Sequence, residues 1–178
     1  MSGSDRPDRG RWVDRRAGGE RRAATRGGGR DRRDETGWAP VPLEKGAAVT
    51  DDALLAAATA ARALAHAHYS GFKVGAALET IDGTIVTGCN IENATYGLTV
   101  CAERVALLKA LSEGHAAFVR IAIVADAADP VPPCGACRQL LWEYGGDLEI
   151  LLGNLATATS RHRLSALLPL PFDRTLLK

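Results

Sequence analysis

Apolar residues are concentrated in residues 49–178, where they form short blocks that predict helices alternating with strands. The first block predicts a helix. Thr50 can cap its start, and Asp51 and Asp52 suit the positive end of a helix. The alanine- and leucine-rich run that follows is a strong helix former, and it predicts that this helix continues to about His68.

Four further apolar segments predict β-strands. An Asp-Gly pair at 82–83 separates the first two segments and is typical of a tight hairpin turn. The third segment is short, apolar and rich in β-branched residues, which favours a buried strand. The predicted strands run from Lys73 to Ile81, from Thr84 to about Cys89, from Phe118 to Ala125 and from Leu148 to Leu152.

Three more segments predict helices, and glycines follow the first two as terminators. Helices interleaved with strands indicate an α/β sandwich, in which helices cover one mixed sheet. The predicted helices run from Cys101 to Leu111, from Cys134 to Tyr144 and, as a last helical turn, from Leu164 to Leu168.

Residues 1–48 lack any helical or strand period and are rich in arginine, aspartate and glycine. Such a segment buries too little apolar surface to offset its ordering entropy, so we expect a disordered extension followed by one folded domain at 49–178. The extension carries 12 Lys/Arg against 8 Asp/Glu, and the rest carries 10 against 13. It could be an RNA- or partner-binding arm, a dispensable tail, or a stretch upstream of the true start. Acids interrupt its basic runs, which favours the tail.

The bulk composition argues for a cytoplasmic protein without a nucleic-acid or membrane partner. The formal net charge is +1, and no segment has the apolar length of a membrane span or the pattern of a secretory signal. The chain has four cysteines, at positions 89, 101, 134 and 137. In a reducing compartment, clustered cysteines indicate metal binding or catalysis more often than disulfides.

Three of these cysteines fall in two short motifs, C-A-E-R at 101–104 and P-C-G-A-C-R-Q at 133–139. Each motif places a cysteine where a predicted helix begins. The positive end of a helix lowers the pKa of a thiol and favours the thiolate that a metal requires. Two such helix starts facing one ion would supply three thiolates, and a catalytic zinc site uses three protein ligands with a fourth position for water.

Glu103 favours a catalytic site over a structural one. A carboxylate beside a zinc-bound water can take its proton and pass protons to a substrate. A three-cysteine zinc site with a glutamate that is not a ligand is the described pattern of zinc deaminases. Taken singly, a C-x-x-C pair also occurs in structural zinc sites and redox pairs. The combination of C-x-E with P-C-x-x-C is far more specific.

At these motifs the chain resembles the small, homotetrameric class of cytidine deaminases. The likeness covers essentially all of residues 49–178 and includes the segments YSGFKVGAA at 69–77 and GCNIENA at 88–94. It implies a three-layer α/β/α sandwich with a mixed five-stranded sheet. It also implies hydrolytic deamination of cytidine and deoxycytidine to uridine and deoxyuridine, with release of ammonia, as a step of pyrimidine salvage.

The resemblance assigns roles to individual residues. One zinc ion per subunit is bound, Glu103 shuttles protons, and Arg104 offsets the thiolate charge through hydrogen bonds to sulfur. Arg138 could be a similar helper or a plain surface residue. The zinc ligands are Cys101, Cys134 and Cys137. The implied substrate contacts are Phe72 on the pyrimidine face, Asn90 and Glu92 at the ribose 3′-hydroxyl, Ala102, and Tyr96 and Phe172 from a neighbouring subunit.

The chain departs from the family pattern at two places. His68 stands where the family usually has proline, and Leu170-Pro171 replaces a small pair before Phe172.

Three alternative functions stay open. A blasticidin-S deaminase would share the fold and both cysteine motifs. A deaminase acting on RNA or DNA commonly uses His-x-Glu and needs a longer channel, which the compact domain argues against. A non-enzymatic zinc module with an RNA-binding arm would have little use for Glu103.

Overall fold

The computed structural model describes residues 49–177, so the predicted disordered extension at 1–48 lies outside the described residues. Five strands and four α-helices follow one another along the described chain, with short 3-10 helices at Tyr96–Leu98 and Arg174–Leu177. The strands are β1 (Val74–Thr80), β2 (Ile85–Cys89), β3 (Phe118–Ala125), β4 (Glu149–Asn154) and β5 (Thr159–Arg163). The helices are α1 (Asp51–Ala63), α2 (Ala102–Ser112), α3 (Gly135–Gly145) and α4 (Leu164–Leu167).

The five strands form one sheet in the order β2-β1-β3-β4-β5. The pairs β1–β2, β1–β3 and β4–β5 are antiparallel, whereas β3 and β4 run parallel. The helix between the two parallel strands is α3, which provides the crossover that a parallel pair requires. The predicted mixed five-stranded sheet is therefore confirmed.

Side chains of the central strands alternate between two apolar layers, as the two-residue period of a strand requires. On β3, Ile121 and Ile123 pack into the larger layer, which also holds the buried faces of α2 and α3. Ala122 and Val124 point the opposite way, into a smaller layer with Leu54 and Ala58 of α1. The sheet thus lies between α1 on one face and α2 with α3 on the other.

Helix α1 ends at Ala63, five residues before the predicted end near His68. The main chain beyond it is committed to tertiary pairing: the His66 N–H donates to the Asn90 carbonyl at 2.9 Å, and the Glu92 N–H donates to the His66 carbonyl at 2.8 Å. These bonds pull residues 64–68 out of the helical conformation, although their composition favours a helix.

Strand β5 has no counterpart among the four strands that the apolar pattern predicts. Its sequence is TSRHR, and its residues alternate between exposed and half-buried. It lies at the edge of the sheet, paired only with β4. An edge strand of this kind is specified by its partner and carries little apolar signal of its own.

The close approach of β2 to α2 depends on Gly88. A Cβ atom added there would lie 2.4 Å from the Ala106 nitrogen and 2.6 Å from the Ala102 carbonyl oxygen, both rigid main-chain atoms. We expect Gly88→Ala to lower the free energy of unfolding by about 1–3 kcal/mol, the range for overpacking. Urea unfolding followed by circular dichroism measures this change.

Gly153→Ala is the matched control, because its added Cβ would meet only the end of the Leu55 side chain, at 2.9 Å, and a methyl of Val124. These side-chain atoms can move aside. Equal losses of stability in the two variants, or none in Gly88→Ala, would contradict the role of main-chain proximity.

Candidate active site

The two cysteine motifs begin neighbouring helices. Cys101 is the N-cap of α2 and Cys134 is the N-cap of α3, both with extended backbone dihedrals, and neither side chain caps its own helix. Cys137 lies one turn further into α3 and is buried. The thiols are therefore free to turn toward one another at two positive helix ends, as the sequence predicts.

The three sulfur atoms lie at the separations that a tetrahedral ion requires. The Sγ atoms of Cys101 and Cys134 are 4.0 Å apart, those of Cys134 and Cys137 are 3.5 Å apart, and all three lie within 4.8 Å of one another. Zinc–sulfur bonds of 2.3 Å in tetrahedral geometry place sulfurs about 3.8 Å apart. No fourth metal-binding side chain joins this group within residues 49–177, so a bound zinc would keep an open position.

Cys101 and Cys137 shift one another's pKa in opposite directions. A hydrogen bond with Cys137, supported by Arg104, lowers the pKa of Cys101 to about 5. The same bond and burial raise the pKa of Cys137. A group that already holds one thiolate is a ready cation site, and binding a divalent ion there releases the remaining protons.

Arg104 lies against these sulfurs from the first turn of α2. Its Nη2 donates to the Sγ of Cys101 at 3.6 Å and to the Thr99 carbonyl at 2.9 Å. The contact with Cys101 raises the pKa of Arg104, which stays a cation. Its Nε is buried without a hydrogen-bond partner among the described residues. A fixed positive charge at this position partly offsets three thiolates.

Glu103 is buried although it is a carboxyl group, with 5% of its surface exposed. Burial raises its pKa above the ordinary value, and the negative charge of Cys101 adds to the effect. A buried carboxyl group with a raised pKa holds a proton more readily than an exposed one, which suits a general acid–base role.

A cavity of about 280 Å³ lies beside the sulfurs. Its walls come from the loop before β1, the segment after β2, the start of α2 and the loop that leads into α3. Most of the sequence-predicted site residues line it: Phe72, Asn90, Glu92, Cys101, Ala102, Glu103 and Cys134. Residues that are distant in sequence thus face one cavity.

Asn90 and Glu92 are tied to the loop that carries Phe72. The Asn90 Oδ1 accepts from the Val74 N–H at 2.8 Å, and its Nδ2 donates to the Phe72 carbonyl at 2.9 Å. The Glu92 Oε2 accepts from the main-chain N–H groups of Tyr69 at 2.7 Å and of the next residue at 3.2 Å. Asn90 and Glu92, the predicted ribose contacts, therefore also fix the loop that carries Phe72, the predicted pyrimidine contact.

Tyr96 and Phe172 do not line the cavity of their own chain. Tyr96 is 75% exposed in the 3-10 helix, and its ring makes an edge-to-face contact with that of Tyr69, with ring centroids 6.0 Å apart. Phe172 is 58% exposed. Their predicted contribution to a neighbouring subunit's site stays a prediction.

Three residues in or beside the site have hydrogen bonds that motif matching did not assign. Arg138 donates to the Pro133 carbonyl and to the Leu167 carbonyl, each at 2.7 Å, and so connects the segment before Cys134 to the end of α4. The Gln139 amide pairs with the main chain of Phe172, accepting its N–H at 3.3 Å and donating to its carbonyl. The third is Ser70, which bonds Glu92. Arg138 and Gln139 lie within the second cysteine motif and Ser70 within segment 69–77, the only signal that could have pointed to them.

The chain is similar to known cytidine deaminases in sequence and in structure. A family model described as the cytidine and deoxycytidylate deaminase zinc-binding region matches residues 48–152. The cytidine deaminase of Halalkalibacterium halodurans is 53% identical over 117 residues, 65% of this chain and 89% of that protein. The cytidine deaminase of Sporosarcina psychrophila is 47% identical over 122 residues, 68% of this chain and 90% of that protein. A crystal structure of cytidine deaminase from Burkholderia pseudomallei matches with a TM-score of 0.68 and 49% identity, covering 70% of this chain and 100% of that one.

Proposed function

The chain belongs to the cytidine and deoxycytidylate deaminase family of zinc-binding proteins, and on this premise we propose that its site hydrolyses the amino group of free cytidine and deoxycytidine. The predicted assignment to a zinc-dependent hydrolase is confirmed by the family match and by the relatives named cytidine deaminase. The products are uridine or deoxyuridine and ammonia, and the reaction serves pyrimidine salvage.

The observation that carries the proposal is the grouping of a buried carboxyl with three cysteine sulfurs beside one cavity. Cys101 and Glu103 are two residues apart at the start of α2, and both line the cavity together with Cys134. A purely structural metal site needs neither a carboxyl group with a raised pKa nor an adjoining cavity. A hydrolytic site needs both.

Cys101, Cys134 and Cys137 would hold the zinc ion, which would supply the Lewis acidity for activating a water molecule. The attack of that water falls on C4 of the cytosine ring. Glu103 is the proton carrier: its carboxylate takes a proton from the attacking water and delivers it to N3 of the ring. It then takes the remaining proton from the hydroxyl group formed at C4 and passes it to the departing amine, which leaves as ammonia while C4 becomes a carbonyl. Its buried position excludes bulk water from these transfers. Arg104 limits the charge that three thiolates would otherwise accumulate around the ion.

The rest of the cavity suits a nucleoside. Phe72 offers an aromatic face to the pyrimidine, and Ala102 at the start of α2 leaves room for the ring beside Glu103. Asn90 and Glu92 offer an amide and a carboxylate to the ribose 3′-hydroxyl, and such groups pair well with a hydroxyl. The site therefore favours a free nucleoside over a polymer.

We also propose that the enzyme acts as a cytoplasmic homotetramer with shared active sites. Tyr96 and Phe172 present exposed aromatic rings outside their own cavity, which suits a role in a neighbouring subunit. The thiolate ligands require a compartment that keeps cysteine reduced. No helix in the described part of the chain is long and apolar enough to span a membrane.

The direct test is the loss of cytidine ultraviolet absorbance on adding zinc-loaded protein, with chelator-treated protein as the control. We expect rapid conversion of cytidine and deoxycytidine by the zinc-loaded form alone. No conversion by a folded, zinc-loaded protein would contradict the proposal. Conversion of blasticidin S but not cytidine would replace it by the rival deaminase.

A further inference from the structure

Ser70 occupies the point where the Phe72 loop meets Glu92. Its hydroxyl donates a hydrogen bond to the Glu92 Oε1 and accepts one from the Phe72 N–H at 2.9 Å. Its own N–H donates to the other carboxylate oxygen at 3.2 Å. One side chain thus contacts both the residue proposed for the ribose and the main chain of the residue proposed for the pyrimidine.

The local backbone makes this arrangement specific. Gly71 has a φ of +70°, in the left-handed region that favours glycine. This turn brings the Phe72 N–H back over the Ser70 hydroxyl, the usual geometry of a serine that bonds the main chain two residues ahead. The hydroxyl proton is then left for Glu92, because the oxygen is already engaged as an acceptor.

The hydrogen-bond inventory of Glu92 shows what Ser70 contributes. An ionised carboxylate offers about four acceptor positions. Two at Oε2 are taken by the main-chain N–H groups of Tyr69 and Ser70, and one at Oε1 is taken by the Ser70 hydroxyl. One acceptor position remains, and it lies on the oxygen that Ser70 fixes. The same hydroxyl bond is the largest cause of the lowered pKa of Glu92, so the group stays an acceptor.

We propose that Ser70 is a positioning residue for ribose recognition, which orients the Glu92 carboxylate so that its remaining acceptor faces the sugar 3′-hydroxyl. The proposal rests on the proposed function, in which Glu92 binds that hydroxyl. Without the Ser70 hydroxyl, Oε1 loses its only hydrogen bond within residues 49–177, and the carboxylate can rotate about the Oε2 contacts. Chemistry at C4 does not involve Ser70.

The test compares cytidine with 3′-deoxycytidine, which lacks only the hydroxyl in question. Purified Ser70→Ala, Ser70→Thr, Glu92→Gln and the Ser70→Ala/Glu92→Gln double variant are assayed with both nucleosides. The ratio of the two kcat/KM values is the readout, because losses of active protein or of Phe72 positioning affect both substrates and cancel. Circular dichroism checks that each variant folds.

We expect Ser70→Ala to reduce the preference for cytidine over 3′-deoxycytidine by about tenfold, mainly through KM, as befits a lost hydrogen bond to a charged group. Ser70→Thr, which keeps the hydroxyl, should restore most of the preference. The double variant should be no less selective than Glu92→Gln alone, because both changes act on one interaction.

An unchanged ratio in Ser70→Ala would overturn the proposal. If kcat/KM fell equally for cytidine and 3′-deoxycytidine, Ser70 would be only a structural part of the loop. If Glu92→Gln also left the ratio unchanged in an active enzyme, the ribose assignment of Glu92 would be wrong and the inference would fall with it. A wild-type enzyme inactive on cytidine would instead contradict the proposed function itself.

Discussion

Replacing Glu103 with glutamine is expected to lower kcat by about four orders of magnitude, the upper range for one general acid–base group. The same residue is proposed to pass one proton from water to the ring and a second from the new C4 hydroxyl group to the leaving amine, so its loss affects every proton transfer. Glutamine has nearly the same size and fills the same buried position beside Cys101. It cannot carry a proton.

The measurement combines three readouts on one preparation: cytidine turnover by ultraviolet absorbance, zinc content by atomic absorption, and folding by circular dichroism. We expect one zinc per subunit and an unchanged spectrum in Glu103→Gln and in Glu103→Ala. Near wild-type turnover in either variant would remove Glu103 from the mechanism. Loss of zinc in both would mean that the carboxyl group supports the metal and not the proton transfers.

Replacing Cys134 with alanine is expected to remove bound zinc and to destabilise the domain. Cys134 is the N-cap of α3 and contributes one of three sulfurs at zinc-like separations, and two remaining thiols make a poor site. At zinc concentrations a hundredfold above its Kd, the wild type gains about 3 kcal/mol of stability from the ion, which the variant loses. Zinc analysis and urea unfolding, with and without chelator, measure both effects.

Cys89→Ala is the matched control for this experiment. Cys89 is also a free cysteine, but its sulfur lies 3.5 Å from the Leu64 carbonyl oxygen and outside the three-cysteine group. We expect Cys89→Ala to keep full zinc content. In the presence of chelator, the wild type and Cys134→Ala should unfold at similar urea concentrations. Stoichiometric zinc in Cys134→Ala would show that the ligand set is wrong.

The two helices that present the cysteines, and the central strand β3, could be predicted from local sequence. The helices predicted from Cys101 and Cys134 begin one residue later, with those cysteines as N-caps, and β3 has the predicted bounds from Phe118 to Ala125. Local features determine these segments, because the apolar period, β-branching and terminating glycines each depend on residues close together in the sequence. Zinc dependence followed from the spacing of two motifs.

The hydrogen bonds that support the site could not be predicted from local sequence. Ser70, Arg138 and Gln139 are polar residues without a distinctive spacing, and their roles come from hydrogen bonds to segments 22 to 33 residues away. The early end of α1 has the same origin, since main-chain pairing at His66 overrides a helical composition. Strand β5 likewise depends on β4 for its partner.

The sequence by itself determined which residues could bind zinc, which carboxyl group accompanies them, and where the helices that present them begin, because each of these properties follows from neighbouring residues. Only the tertiary structure decided that Asn90 and Glu92 also hold the Phe72 loop and that Ser70 joins them. Such contacts link residues 16 to 23 positions apart, and their geometry exists only once β1 and β2 pair and the flanking loops close over the start of α2.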